Sequence, residues 1–274
     1  MFLRKQLRDR FFQRIDQIKP LSAQELAASA IIFAPHQDDE TLGCGGTIIH
    51  KHQAAAAVKI VFMTDGSLSH HHFIPKAKLT TLRQQEAIAA AKCLGLKSEQ
   101  VIFLGFGDGE LKQAQEKAIK DIEKLLLAHQ PQQIFIPYVR ETHPDHLATN
   151  QIVLAALENY PQEIAVYEYP VWYWHHFPWT KLWGDRALKI AYLKASLKAR
   201  LGQQLLQEFD YRVDIKSVKA QKQLALAQHQ TQMQRLVDHP DWGTLKDVSE
   251  GEWLECFFQT QEIFRRTIYI GSKS

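Results

Sequence analysis

Ala30-Ile31-Ile32-Phe33-Ala34-Pro35-His36-Gln37-Asp38-Asp39-Glu40 runs without a break from apolar residues into a histidine and three acids. A short, wholly apolar run reads as a central strand buried on both faces. Titratable groups at its carboxyl end are expensive to leave there unless a cation or a reaction uses them. Outward from this stretch the chain alternates. Residues 43–57 form an Ala-rich stretch of helical length, and 58–63 read as a second strand. A polar loop over 65–78 leads to a helix over 79–94, stopped by Gly95 at a C-cap position. Residues 101–104 give a third strand, 114–129 an amphipathic helix and 133–137 a fourth strand. This alternation predicts an α/β fold: a doubly wound, mostly parallel, Rossmann-like sheet with helices on both faces and right-handed crossovers. Ligands of such sheets bind beyond the carboxyl ends of the strands.

After residue 160 the pattern loosens. Residues 164–169 suggest a fifth strand, 209–215 an extra strand and 217–237 a long helix. With no internal repeat and no Gly/Ser-rich linker, one domain over 1–274 is expected, residues 160–274 elaborating it and shaping a substrate cleft. At the other end Leu3, Leu7, Phe11, Ile15 and Ile18 fall at helical spacing, with Arg4, Lys5, Arg8, Arg10 and Arg14 between them. An amphipathic helix over residues 1–20 is expected to dock on its own domain. Peripheral contact of residues 1–18 with an anionic membrane is the rarer use of such a pattern.

Composition narrows the classes. The 274 residues are 45% hydrophobic and 23% charged, which excludes disordered, collagen-like and low-complexity chains. A net charge of +3 is too balanced to argue for nucleic acid as a partner. No run approaches the ~18 apolar residues of a spanning helix, and the first residues lack a secretory h-region. Cys44, Cys93 and Cys256 form no CxxC pair. A cytoplasmic, reducing setting without disulfides is therefore expected. The 13 histidines point toward metal or acid/base chemistry.

The fourth strand ends in a second cluster, Thr142-His143-Pro144-Asp145-His146. In a doubly wound sheet the carboxyl ends of the first and fourth strands face one another across the crevice. His36, Asp39 and one histidine of the second cluster then make three ligands and leave a position open for water, the arrangement of catalytic zinc. Iron, cobalt or manganese suit the same donors. Asp38, beside Asp39, is placed to take a proton from the water, and the remaining histidine to stabilise an oxyanion.

These residues resemble a known family. Residues 35–40 are similar to the PHPDDE or AHPDDE signature of the LmbE-like, PIG-L-type zinc-dependent de-N-acetylases, and 143–146 to its later HPDH signature. Thr64-Asp65-Gly66, the stretch 83–86, Asp108-Gly109 and KQLALAQHQTQ over 222–232 resemble supporting parts, so the likeness covers most of 30–235. The resemblance implies that His36, Asp39 and His146 hold zinc, that Asp38 is the general base and that His143 steadies the tetrahedral intermediate. It implies removal of an N-acetyl group from an N-acetylglucosamine-type sugar, as a small molecule or a glycolipid, with release of acetate. Gln37 stands where the family has proline, and Thr231 where it has serine.

Around the centre, Arg83, Asp65, Asp108, His70 and His229 are expected substrate contacts. The alternative for Arg83 is an ion pair with Glu86. The Ser69-His70-His71-His72 run lines the crevice or, less simply, takes a second metal. Asp145 is expected to orient a ligand histidine from behind, and Glu40 to favour the helix dipole rather than bind metal. Gly43-Cys44-Gly45-Gly46 lacks the dinucleotide spacing and reads as close packing of helix on sheet, with Cys44 a small buried residue. Trp172, Tyr173, Trp174, Phe177, Trp179 and Trp183 serve packing or stack on a sugar. The rival readings are a cofactor-binding Rossmann-like protein and a non-catalytic protein at the membrane surface.

Overall fold

Every apolar run singled out above forms a strand. The computed structural model describes residues 2–181 and 186–270, so Trp183, like the side chain of Leu3, lies outside what is described. Strands β1 (Lys19–Pro20), β2 (Ala30–Ala34), β3 (Val58–Thr64), β4 (Val101–Phe106), β5 (Gln133–Pro137), β6 (Ile164–Tyr169), β7 (Tyr211–Asp214) and β8 (Gln261–Tyr269) share one sheet. Its order is β1-β7-β8-β6-β5-β2-β3-β4. The run from β4 to β6 is parallel throughout, whereas β8 pairs antiparallel with both β6 and β7. From β2 the chain steps outward to β3 and β4, and from β5 the other way to β6. The crevice thus opens between β2 and β5, which are direct neighbours with Ala30 opposite Gln133.

Around the sheet lie α1 (Phe2–Ile15), α2 (Ala23–Ala27), α3 (Asp39–Gln53), α4 (Lys76–Cys93), α5 (Gln115–His129) and α6 (Pro144–Leu157). Later come α7 (Arg186–Lys198), α8 (Gln203–Glu208), α9 (Lys219–Leu226), α10 (Gln230–Met233) and α11 (Glu252–Glu255). Because strand side chains alternate, β2 feeds two cores. Ala30, Ile32 and Ala34 pack with Ile48 and Ile49 of α3 and Ala87 and Ala91 of α4. Ile31 and Phe33 face the other way, toward Ala118, Ile122 and Leu126 of α5 and Ile152 and Val153 of α6. These are the helices on both faces that the alternation predicts.

Three helices differ from expectation, the N-terminal one by ending at Ile15 ahead of the Lys19–Pro20 strand instead of running to residue 20. The one expected over 43–57 starts at Asp39 and stops at Gln53, because Ala55 takes a left-handed φ of 56° and turns the chain into β3. The long helix expected over 217–237 is broken into α9 and α10 around His229, whose ψ of 65° is not helical. Side-chain bonds to the chain's other end fix the break, as described below. Toward the amino end, Phe11 and Ile15 are buried, Arg4 pairs with Glu252, and Arg8 lies 3.4 Å from Glu255. The basic helix is docked on its own fold.

The glycine-rich start of α3 is a packing surface. A Cβ on Gly43 would meet the Tyr169 ring at 2.2 Å, and one on Gly46 would meet Ile215 at 2.3 Å. Those side chains fill the space a dinucleotide phosphate would need. Cys44 is buried and its thiol is pushed well up by burial, which makes it inert. Below it the buried Lys222 donates to Glu262 at 2.8 Å, and Glu262 accepts from Gly46 N at 2.7 Å and Thr47 N at 2.8 Å. One ion pair therefore ties α9, β8 and α3 together.

Candidate active site

At the end of β2 the chain turns through Asp38, whose φ of 144° is rare for a residue with a Cβ. The turn starts α3 at Asp39 and lets Asp39 Oδ2 accept from His36 N at 3.0 Å. Beyond β5, His143 caps α6: its Nδ1 accepts from Asp145 N at 3.3 Å, with Pro144 in the first turn. Because β2 and β5 are neighbours, the two clusters meet.

Their meeting point is Asp39. Its Oδ2 lies 3.3 Å from His36 Nδ1 and 3.2 Å from His146 Nε2. Both ring nitrogens of His146 are buried without a hydrogen bond, so Nε2 and the carboxylate sit side by side instead of bonding to each other. Donors 2.0–2.1 Å from a tetrahedral zinc are about 3.3 Å apart, the spacing seen here. Donor atoms of His36, His143 and His146 all lie within 4.8 Å of one another, as do those of His36, Asp108 and Asp145. This His/Asp cluster could hold a metal ion.

Carboxylates hold the His36 ring from behind. His36 Nε2 is 3.2 Å from Asp145 Oδ2 and 3.3 Å from Asp108 Oδ1, which leaves Nδ1 free to face Asp39. Burial opposes a charge on His36, but bonds to Asp108, Asp145 and Asp39 outweigh it and raise its pKa well above the usual histidine value. For Asp39 burial is likewise overcome, here by His146 and His36, and its pKa falls. Asp38 goes the other way: burial and then the Asp39 charge push it up. The two adjacent acids are thus pushed apart, Asp39 toward the anion and Asp38 toward a weaker acid. Arg83 Nη2 stands 3.6 Å from Asp38 Oδ2, and Glu40 Oε2 accepts from Asp38 N at 3.0 Å.

Above these groups is a cavity of about 330 Å³ lined by His36, Asp38, Asp39, Arg83, Asp108 and His143, with Trp172 and Trp253 among its apolar walls. The sequence model of the PIG-L family, described as GlcNAc-PI de-N-acetylase, matches residues 31–157, which contain both clusters. Residues 31–157 form a PIG-L domain. The chain is 28% identical over 144 residues to a probable N-acetyl-alpha-D-glucosaminyl L-malate deacetylase 2 of Bacillus anthracis, covering 48% of this chain and 60% of that protein. It is 30% identical over 139 residues to the diacetylchitobiose deacetylase of Thermococcus kodakarensis, 47% of this chain and 51% of the relative. The matched segment thus spans between half and two thirds of these curated relatives. A solved structure, the N,N′-diacetylchitobiose deacetylase of Pyrococcus horikoshii, superposes with a TM-score of 0.63 at 21% identity, over 90% of this chain and 87% of that one. At that identity the likeness is one of fold.

The residues expected to touch substrate divide, four lying inside the PIG-L domain and His229 beyond it. Arg83 lines the cavity but is buried, with Nη2 donating to Gln37 O at 2.7 Å and Nη1 to Gly66 O at 3.2 Å. It does not pair with Glu86, which instead accepts from Thr231 N at 2.9 Å and Oγ1 at 2.7 Å. Asp108 reaches the cavity while holding His36 and accepting from Leu68 N at 2.9 Å. Asp65, His70 and His229 are structural supports in this geometry. Asp65 Oδ1 accepts from Ser67 N at 3.0 Å and Asp108 N at 3.2 Å, which ties two loops. His70 stacks on Trp242 with ring centres 4.2 Å apart, and its Nε2 is 2.9 Å from Gly243 O. His229 is fully buried and meets Glu40 at 3.0 Å, behind Asp38 and away from the cavity. This pair, with the Thr231–Glu86 bonds, breaks the expected long helix.

Sequence reasoning missed Glu141. Its carboxylate accepts from Val171, Trp172 and Tyr173 backbone N–H groups at 2.8, 2.7 and 3.2 Å, and Oε2 lies 3.6 Å from His146 Nδ1. An acid two residues before the His143 cluster is the signal that was there to find. The aromatic run is mainly packing: Trp174 and Trp179 are buried, whereas Trp172 stacks on Trp253 with centres 4.7 Å apart at the cavity wall.

Proposed function

We propose that this protein is a zinc-dependent de-N-acetylase that hydrolyses the acetamide of an N-acetylated amino sugar to acetate and a free amine. One observation carries the reading. Asp39 Oδ2 stands at contact distance from His36 Nδ1 and His146 Nε2 beside the buried Asp38, at the foot of a cavity. The relatives named for acting on N-acetylglucosaminyl malate and on diacetylchitobiose support the substrate class. The Tyr169 and Ile215 side chains packed on the glycines of α3 argue against dinucleotide binding there.

His36, Asp39 and His146 would hold the ion. A divalent zinc there supplies a Lewis acid for the acetamide carbonyl and brings the pKa of an adjacent water to roughly 7. Asp38, raised in basicity by burial and by Asp39, takes the water's proton as its oxygen adds to the carbonyl carbon. His143 is held neutral, its pKa lowered to about 4 chiefly by burial. Because its Nδ1 accepts from Asp145 N, its proton sits on Nε2, where it donates to the developing oxyanion. Asp38 returns the proton to the amine nitrogen as the C–N bond breaks. Arg83 keeps Asp38 from drifting, and Asp145 and Asp108 keep His36 aimed.

The test is acetate release from a panel of free, nucleotide-linked and lipid-linked N-acetylhexosamines, with and without a chelator. Release that stops on chelation and returns with zinc is expected. Absence of release across the whole panel from zinc-loaded protein would overturn the assignment.

A further inference from the structure

The docked N-terminal helix has its apolar face inside the protein and two of its arginines, Arg4 and Arg8, on Glu252 and Glu255. Helix α7 is built the opposite way. Its inner side is fixed to the aromatic segment: Ser196 Oγ accepts from Phe177 N at 2.9 Å, and Tyr192 packs on the His175 ring at 4.3 Å. Ser196 and Ala199 are buried. The outer side is apolar as well. Ile190 is 46% exposed, Leu193 44% and Leu197 59%. At about 100° per residue these three fall within an arc of about 60°, with Lys189 on one flank and Lys194 and Lys198 on the other. Just past the helix, Arg200 and Leu201 take left-handed φ values of 49° and 53°, and Leu201 is left 36% exposed.

Charge on this segment has one sign. Arg186, Lys189, Lys194, Lys198 and Arg200 are exposed, and residues 186–207 contain no Asp or Glu. Among the described residues none of these cations pairs with a carboxylate. A leucine stripe bordered by long cationic side chains is stable when the stripe is immersed in acyl chains and the cations reach lipid phosphates. The bordering cations would repel a second copy of the same face.

We propose that α7 is an interfacial helix that docks this protein on an anionic bilayer surface through Ile190, Leu193 and Leu197, with Lys189, Lys194 and Lys198 contacting lipid headgroups. The α7 anchor, the segment 172–177, begins with Trp172 in the cavity wall, so docking holds the cavity at a fixed relation to the lipid surface. The surface is independent of the hydrolytic chemistry, and its failure leaves that reading untouched.

Sedimentation of the whole protein with vesicles tests it. Vesicles of phosphatidylcholine alone are compared with vesicles in which about one lipid in three is phosphatidylglycerol. Selective binding to the anionic vesicles is expected, weakening as salt is raised. Leu193→Ser with Leu197→Ser should lower binding by about tenfold or more, and Lys189→Glu with Lys194→Glu by a similar factor. All four positions are exposed, so the variants should keep the native melting temperature and acetate release from a soluble substrate. Three results would overturn the proposal: no preference for anionic vesicles, undiminished binding by both variants, or a dimer in solution that the leucine variant dissociates.

Discussion

Asp38 combines a strained backbone, burial beneath the cavity and an anionic neighbour, a costly set of conditions for one residue. Its substitution by asparagine keeps the shape and removes the proton acceptor. Turnover of Asp38→Asn should fall by about 10²- to 10⁴-fold, while bound metal, measured by atomic emission, stays at the native stoichiometry. Asp145→Asn should do the reverse in kind. With His36 Nε2 left to Asp108 alone, metal affinity should drop by about 10- to 100-fold in a competitive titration. The side chains that gather around Asp39 were legible because histidines and acids crowd the ends of two apolar runs. Asp145, next to one cluster, was read as a support; the distant supports were not. Glu141 acts through backbone N–H groups some thirty residues on, as Glu40 does through a histidine near the other end of the chain, and no spacing rule joins such partners.

Among the elements, α3 carries the clearest consequence of close approach. Gly43→Ala drives a methyl group into the Tyr169 ring, at a cost of about 1–3 kcal/mol in denaturant unfolding. Gly243→Ala is the control, since a Cβ there meets nothing within 4 Å. The same helix buries Lys51, whose Nζ donates to Glu25 O and Ala28 O at 2.9 Å and to the Gln133 side chain. Burial pulls its pKa down to about 7, only partly opposed by Glu25. The unfolded chain therefore binds this proton more tightly from about pH 7 up to the ordinary lysine range, and stability rises with pH across that window. Unfolding curves should show the advantage of the native chain over Lys51→Met widening between about pH 7 and pH 10. Helices and strands themselves were readable from periodicity. Their ends were set by tertiary bonds, which is why residues 217–237 looked continuous.

For the whole molecule, the doubly wound parallel half followed from strand–helix alternation, including the crevice between β2 and β5. The other half did not, because β8 runs antiparallel between β6 and β7 and nothing local in 261–269 specifies those partners. Its hold on the fold is Glu262. Lys222→Met would leave that carboxylate buried without its cation, a loss of about 3–5 kcal/mol in chemical unfolding. A seated metal adds to this stability by mass action: at a hundredfold excess over its dissociation constant the gain is about 2.7 kcal/mol. Chelation should lower the melting temperature by several degrees, at about 2–4 °C per kcal/mol.

The position of β8 also bears on biosynthesis. Strands β6 and β7 emerge from the ribosome well before the strand that must lie between them, so for that interval each nascent edge has unpaired backbone groups. A polypeptide stalled short of residue 261 would keep both of these edges open to pairing with other chains.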